Sequence, residues 1–282
     1  MLIFNKQVDL QAHLKSIAPE PNTIGFVPTM GALHDGHLSL LRRSLSENDS
    51  TVMSIFVNPT QFNNPDDLLK YPRTLEKDVE KMKSLSNEII VYAPSVEDIY
   101  EGNTVAKHFD YDGLENQMEG KHRPGHFDGV GTIVSRLFEI VKPTNAYFGE
   151  KDFQQLQIVK KMTEKLQLPV NIIGSPIHRE KNGLAMSSRN ERLSASEKEN
   201  AALIYKTLQQ AKQLFGTKSA NEVTKWVEES FAKQNEFKLE YFEIANEDTL
   251  LPIIEKENGK KYRAFIAVFV NEIRLIDTIS LN

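Results

Sequence analysis

Two histidines three residues apart, His34 and His37, lie in the segment Met30-Gly-Ala-Leu-His-Asp-Gly-His, between a β-type run and a helical pattern. A strand-to-helix junction of this kind puts both imidazoles at a helix N-terminus. Unpaired N–H groups and partial positive charge there favour an anion, above all a phosphate. The same field disfavours imidazolium, so neutral imidazoles that donate hydrogen bonds are expected. Metal ligation is the rival reading. A His-Glu-x-x-His pair is absent and His122, His126 and His178 have no metal spacing, so no protein-ligated metal is expected.

Three other places carry chemistry-bearing residues. Asn58 and Gln61 follow the second β-type run, in Phe56-Val-Asn-Pro-Thr-Gln-Phe62. A neutral amide can grip a hydroxyl and a carboxylate at once, although a capped turn explains the pair as well. Next come Arg123-Pro-Gly-His126 and Phe148-Gly149-Glu150-Lys151-Asp152-Phe-Gln-Gln155. Gly149 permits close backbone approach, and Lys151 is a point charge able to meet a phosphate. Asp152 could cap the following helix or bind a ribose hydroxyl. Last comes Met186-Ser187-Ser188-Arg189, two hydroxyls beside a planar fork of donors. The alternative there is a solvated loop.

The elements that must position these residues alternate. Short β-type runs at 24–27, 52–57, 88–92, 146–148 and 170–173 are separated by helical patterns, among them 75–85, 130–141 and 153–166. This predicts an α/β domain, a Rossmann-like parallel sheet with helices on both faces. Ligands of such sheets sit beyond the carboxyl ends of the strands, where most of the candidate residues fall. The pattern changes near Pro176. Capping boxes at Ser194–Glu197 and Ser219–Glu222 open helices, the first long enough to reach about Leu214. Three β-type runs follow without intervening helices. A catalytic domain over 1–175 and a smaller α+β domain over 176–282 are expected.

Composition narrows the classes. The 282 residues carry 34 Lys+Arg against 39 Asp+Glu, a net charge of −5, and no cysteine. Disulfide scaffolds, Cys-ligated zinc, iron–sulfur clusters and thiol catalysis are excluded. An acidic balance argues against a dedicated nucleic-acid binder but not against a small anion in its own pocket. The N-terminus lacks a signal-peptide pattern and no apolar run approaches the ~20 residues of a membrane span, so a cytoplasmic protein is expected.

Together the motifs resemble a known family. Pro28 to His37 looks like the HIGH-type signature of nucleotidyltransferases, and Met186-Ser-Ser-Arg189 like their shortened KMSKS-type element. Ile55 to Phe62, His122 to His126 and Phe148 to Gln155 are similar to one branch, the pantoate–β-alanine ligases. The likeness runs in ordered motifs from about Ile24 to Leu193 and is loose beyond. It implies condensation of pantoate with β-alanine through a pantoyl adenylate, with ATP as substrate and magnesium on its phosphates. It implies an ATP site from Met30, Gly31, Ala32, Leu33, His34, Asp35, Gly36 and His37, from Gly149, Glu150, Lys151 and Asp152, and from His178, Met186, Ser187, Ser188 and Arg189. Asp35 stands where the family commonly has Glu, and keeps the charge. The position of His178 is often aliphatic in the family, which suggests a backbone contact. His34, His37, Lys151 and Arg189 are implied to carry the catalysis, His37 as proton donor. Gln61, Gln155, Asn58, Arg123, His126 and Tyr71 are implied for pantoate and β-alanine. A homodimer through the first domain, and a C-terminal lid, are implied as well. The alternative is a nucleotidyltransferase of the same superfamily acting on a phosphorylated acceptor.

Overall fold

The structure, a computed structural model, describes residues 1–17 and 22–282. The chain runs β1 (Leu2–Phe4), α1 (Gln7–Ile17), β2 (Ile24–Thr29), α2 (Asp35–Glu47), β3 (Ser50–Ile55), α3 (Pro65–Lys70), α4 (Leu75–Leu85), β4 (Ile90–Tyr92) and α5 (Val96–Tyr100). It continues with α6 (Met118–His122), α7 (His126–Val141), β5 (Asn145–Gly149), α8 (Phe153–Lys165) and β6 (Asn171–Ser175). Strands β1 to β6 form one parallel sheet in the order β1-β4-β3-β2-β5-β6. The expected Rossmann-like fold is therefore present.

Burial on both faces explains the apolar strands. On one face, Phe26, Val52, Tyr92 and Ala146 join a cluster with α1, α7 and α8, in which Leu137, Phe138 and Val159 are nearly inaccessible. On the other, Val27, Met53, Val91 and Tyr147 pack under α2 and α4, through Leu38, Leu41, Val79 and Met82. The chain moves from β2 to β3 in one direction and from β5 to β6 in the other. The crevice between the carboxyl ends of β2 and β5 is thus the topological switch point, where an open α/β sheet takes its ligand.

Beyond β6 come α9 (Ala195–Asn200), α10 (Ala202–Phe215), α11 (Ala220–Phe231), β7 (Phe237–Asn246), β8 (Tyr262–Val270) and β9 (Ile273–Ser280). The last three form an antiparallel sheet, β7-β8-β9. Its inner face joins α10 and α11 in a separate cluster that includes Leu208, Val223, Val227, Ile266 and Val268. Both capping boxes form. In the first, the Glu197 N–H donates to Ser194 Oγ at 3.3 Å, and the Ser194 N–H to Glu197 Oε2 at 2.7 Å. The helix expected to run on to about Leu214 breaks at Ala201, where α9 ends and α10 begins. The short elements β1, α3, α5 and α6 were not foreseen, because three to six residues carry too little periodicity.

Candidate active site

A cavity of about 240 Å³ opens at the switch point. It is lined by Met30, His34, Gly36 and His37 from the β2 exit, and by Asn58 and Gln61 from the β3 exit. Gly149, Lys151 and Asp152 contribute from the β5 exit and Gln155 from α8. Tyr71, His178, Met186, Ser187, Ser188 and Arg189 complete the rim. Phe56, Val130, Ile133, Val134 and Leu137 give one part of the wall an apolar lining. A second, more polar cleft of about 590 Å³ shares Lys151, Asp152, Ser187 and Arg189 with the first.

The two histidines are set by backbone geometry. His34 is the N-cap of α2, with extended φ and ψ. Its own N–H donates to Nδ1 of His37 at 3.3 Å, and the rings lie 4.0 Å apart. An accepting Nδ1 means that neutral His37 carries its proton on Nε2. Burial holds the imidazole of His37 down at about 4, opposed by Asp152 and reinforced by Lys151 and Lys81. Burial also lowers His34, to about 2, helped by His37 and Lys151. Both rings are therefore neutral at pH 7, through burial and the cations beside them. Gly36 makes room for them, since a Cβ there would lie 2.8 Å from the His34 ring.

The loop before α2 is tied from below. Gly31 and Ala32 both have positive φ, +86° and 51°. Asp78 of α4, 1% exposed, accepts from the N–H of Ala32 at 2.9 Å and of Leu33 at 2.8 Å. Lys81 donates to the Leu33 carbonyl at 2.5 Å. Neither Asp78 nor Lys81 was anticipated. A signal was present, because Asp78 interrupts the apolar stripe Leu75, Val79, Met82 of an amphipathic helix. A carboxylate on that face needs buried donors.

The remaining candidates divide. Lys151 is only 17% exposed and its nearest acid is Asp152, at 3.8 Å. Asp152 makes no cap hydrogen bond to α8 and turns to the cavity instead. Ser187 caps the single turn 188–192, and Ser188 donates to the Ala32 carbonyl at 3.2 Å, which joins two walls of the site. The Arg189 guanidinium is paired with Asp67 of α3 at 2.9 Å. His178 is exposed, and its carbonyl accepts from the Met186 N–H at 3.0 Å within a small hairpin.

Seven expected site residues do not line this cavity. Gly31, Ala32 and Leu33 shape the loop behind it, with Leu33 in the core. Asp35 points to solvent. Glu150 turns away to Arg263, 3.5 Å off. His126 is buried beneath the Gln61 turn, with Nδ1 donating to the Gln61 carbonyl at 2.9 Å. Arg123 lies beside Glu119, 3.6 Å away, and opens onto the second cleft. For His126 and Arg123 the reason is the same. A buried backbone or carboxylate acceptor claims the side chain first.

The family model Pantoate-beta-alanine ligase matches residues 2–280. The chain belongs to the pantoate–β-alanine ligase family. A pantothenate synthetase of Flavobacterium psychrophilum is 68% identical over all of both chains. The crystal structure of pantothenate synthetase from Thermus thermophilus superposes with a TM-score of 0.91 at 39% identity, covering 100% of this chain and 99% of that one. The pantoate–β-alanine ligase of Francisella tularensis, complexed with "Beta-gamma ATP and Beta-alanine", gives 0.82 at 36% identity, over 100% and 98%. Members of this family are ligases that form a C–N bond, so the ligase reading of the motifs holds.

Proposed function

We propose that this chain condenses pantoate with β-alanine to give pantothenate, AMP and pyrophosphate, by way of pantoyl adenylate. The observation that carries it is one cavity lined by two chemically different sets of side chains. The first is His34, His37, Lys151 and the Ser187–Arg189 turn, which supply donors and cations, with Asp152, the one carboxylate among the described lining residues, beside Lys151. The second is aliphatic and aromatic side chains with two neutral amides, Gln61 and Gln155. A nucleoside triphosphate suits the first. A small branched hydroxy acid suits the second, with methyls against Val130, Ile133 and Val134 and its oxygens on the amides. A phosphorylated acceptor would need cations among the apolar side chains and amides, so the alternative nucleotidyl transfer is disfavoured.

The chemistry follows from charge. A carboxylate oxygen attacking the α-phosphorus brings anions together, and pyrophosphate leaves. In this reading Lys151, the Nε2–H of neutral His37 and the His34 imidazole meet that developing charge. His37 then supplies a hydrogen bond, not a formal charge. In the second step the neutral amine of β-alanine forms the C–N bond and AMP leaves. This step is mainly a matter of holding the two reactants in line. Arg189 exchanges its Asp67 partner for phosphate oxygens in this reading.

Among the described residues no group of three His, Asp or Glu could cage a metal. Magnesium fits only as an ion carried on phosphate oxygens and water, which is its usual habit, with Asp152 as the carboxylate nearest Lys151. Magnesium would neutralise phosphate charge. The division near Pro176, a C-terminal lid, a homodimer through the first domain and a cytoplasmic setting belong to the same proposal. The division rests on the change of sequence pattern, and the lid and homodimer on family likeness; no described helix is long and apolar enough to cross a membrane.

An AMP-release assay tests the proposal. AMP should form only with ATP, pantoate and β-alanine all present. AMP release at an equal rate with pantoate omitted would refute it.

A further inference from the structure

Behind Gln61 lies a chain of buried hydrogen bonds that the reaction itself does not require. The Asn58 amide is 1% exposed. Its Nδ2 donates to the Gly129 carbonyl and to Gln61 Oε1, both at 3.1 Å. Its Oδ1 accepts from the Thr60 N–H and hydroxyl, and from the Tyr100 hydroxyl at 2.5 Å. The Gly129 carbonyl and the Thr60 N–H assign which end of this amide is which, but the N–H contact is long at 3.4 Å, and the Tyr100 hydroxyl makes the shortest bond that holds the amide in place. Since Asn58 presents N–H to Gln61, Gln61 must present its carbonyl to Asn58. The Gln61 NH₂ is thereby turned toward Met30, whose sulfur lies 3.2 Å from it on the cavity wall.

We infer that Tyr100, on α5 and outside the cavity, is a positioning residue for the acid substrate. It acts through Asn58 to fix Gln61 with its donor end outward. This rests on the assignment of Gln61 to pantoate made above. An outward NH₂ selects an acceptor, a carboxylate or hydroxyl oxygen. A flipped amide would set carbonyl oxygen against that oxygen and repel it. Tyr100 is 1% exposed, and burial raises its phenol above the usual range, so it stays a donor wherever the protein is folded. Arg136 sits over its ring, 5.5 Å from the centroid, which keeps the ring in place without the hydroxyl.

The test compares three variants by steady-state kinetics and thermal unfolding. Tyr100→Phe should raise the pantoate KM roughly fivefold to tenfold, the size of one good hydrogen bond, and leave the ATP KM unchanged. Gln61→Ala should raise the pantoate KM at least as much. Tyr92→Phe removes another buried phenol bond, to Asp98 at 2.8 Å and away from the cavity, and should alter neither KM. If Tyr100→Phe folds and leaves the pantoate KM unchanged, or raises both KM values alike, the inference is overturned. If Gln61→Ala leaves the pantoate KM unchanged, the assignment of Gln61 fails instead.

Discussion

Protonation at His37 sets how the site handles charge. A folded-state value near 4 against an ordinary 6.5 means that the folded protein binds fewer protons than the unfolded chain between those pH values. Stability therefore falls as pH drops from about 6.5 toward 4, and His34, held near 2, adds to the loss. Nitrogen-detected NMR at pH 7 should show His37 neutral with its proton on Nε2, and a titration midpoint far below 6.5. Lys151 and His37 are the two side chains whose loss should hurt most. His37→Ala and Lys151→Ala should each lower turnover by about 10² or more, with the melting temperature little changed, because both line the cavity and neither belongs to an apolar core cluster. A large fall in melting temperature without ATP would assign them structural roles. Most of the converging residues were legible because each occurs in a short motif at a strand exit. Their bonding was not. Asp152, open in sequence to a capping or a ribose role, sits at the N-cap position of α8 without a capping hydrogen bond, and His126 and Arg123 lie beneath and beside the cavity, bonded to Gln61 and Glu119.

The loop from β2 to α2 holds the site geometry more than any other element. Two consecutive left-handed residues are unusual outside glycine, and Asp78 supplies the acceptors that hold them. Gly36→Ala separates helix stability from site geometry. Alanine is the better helix former by about 1 kcal/mol, so the protein should lose little stability. Its Cβ would displace the His34 ring, so the ATP KM should rise about tenfold. Steady-state kinetics beside a melting curve decides this, and an unchanged ATP KM would show that the ring position does not matter. The α4 helix itself was legible from its apolar stripe. The partner of its buried carboxylate was not, since 46 residues separate Asp78 from the Ala32 N–H.

At the scale of the molecule, charged groups tie the small antiparallel sheet to the catalytic sheet. Arg274 of β9 pairs with Glu119 of α6 at 2.6 Å and with Glu240 of β7 at 2.5 Å. Burial alone would raise the Glu119 carboxyl, but Arg274 pulls it down to about 2. Removing Arg274 leaves the largely buried Glu119 with only the Tyr241 hydroxyl at 2.7 Å and the more distant Arg123, so Arg274→Ala should destabilise by about 3 kcal/mol. The Glu119→Ala, Arg274→Ala double variant should lose less than the sum of the singles, measured by denaturant unfolding. Such a cycle reports the coupling energy of the pair that links the two parts. The alternation of strands and helices, and the change of pattern near Pro176, were readable from periodicity. The sheet order and these long-range ion pairs were not, because periodicity records which face is buried and not which partner buries it.

The central claim is that a carboxylate is adenylated before any amine takes part. Isotope exchange tests it most directly. Labelled pyrophosphate should enter ATP when pantoate is present and β-alanine is absent, and should not enter when pantoate is left out. Active, folded protein that forms pantothenate yet shows no such exchange would contradict the adenylate route.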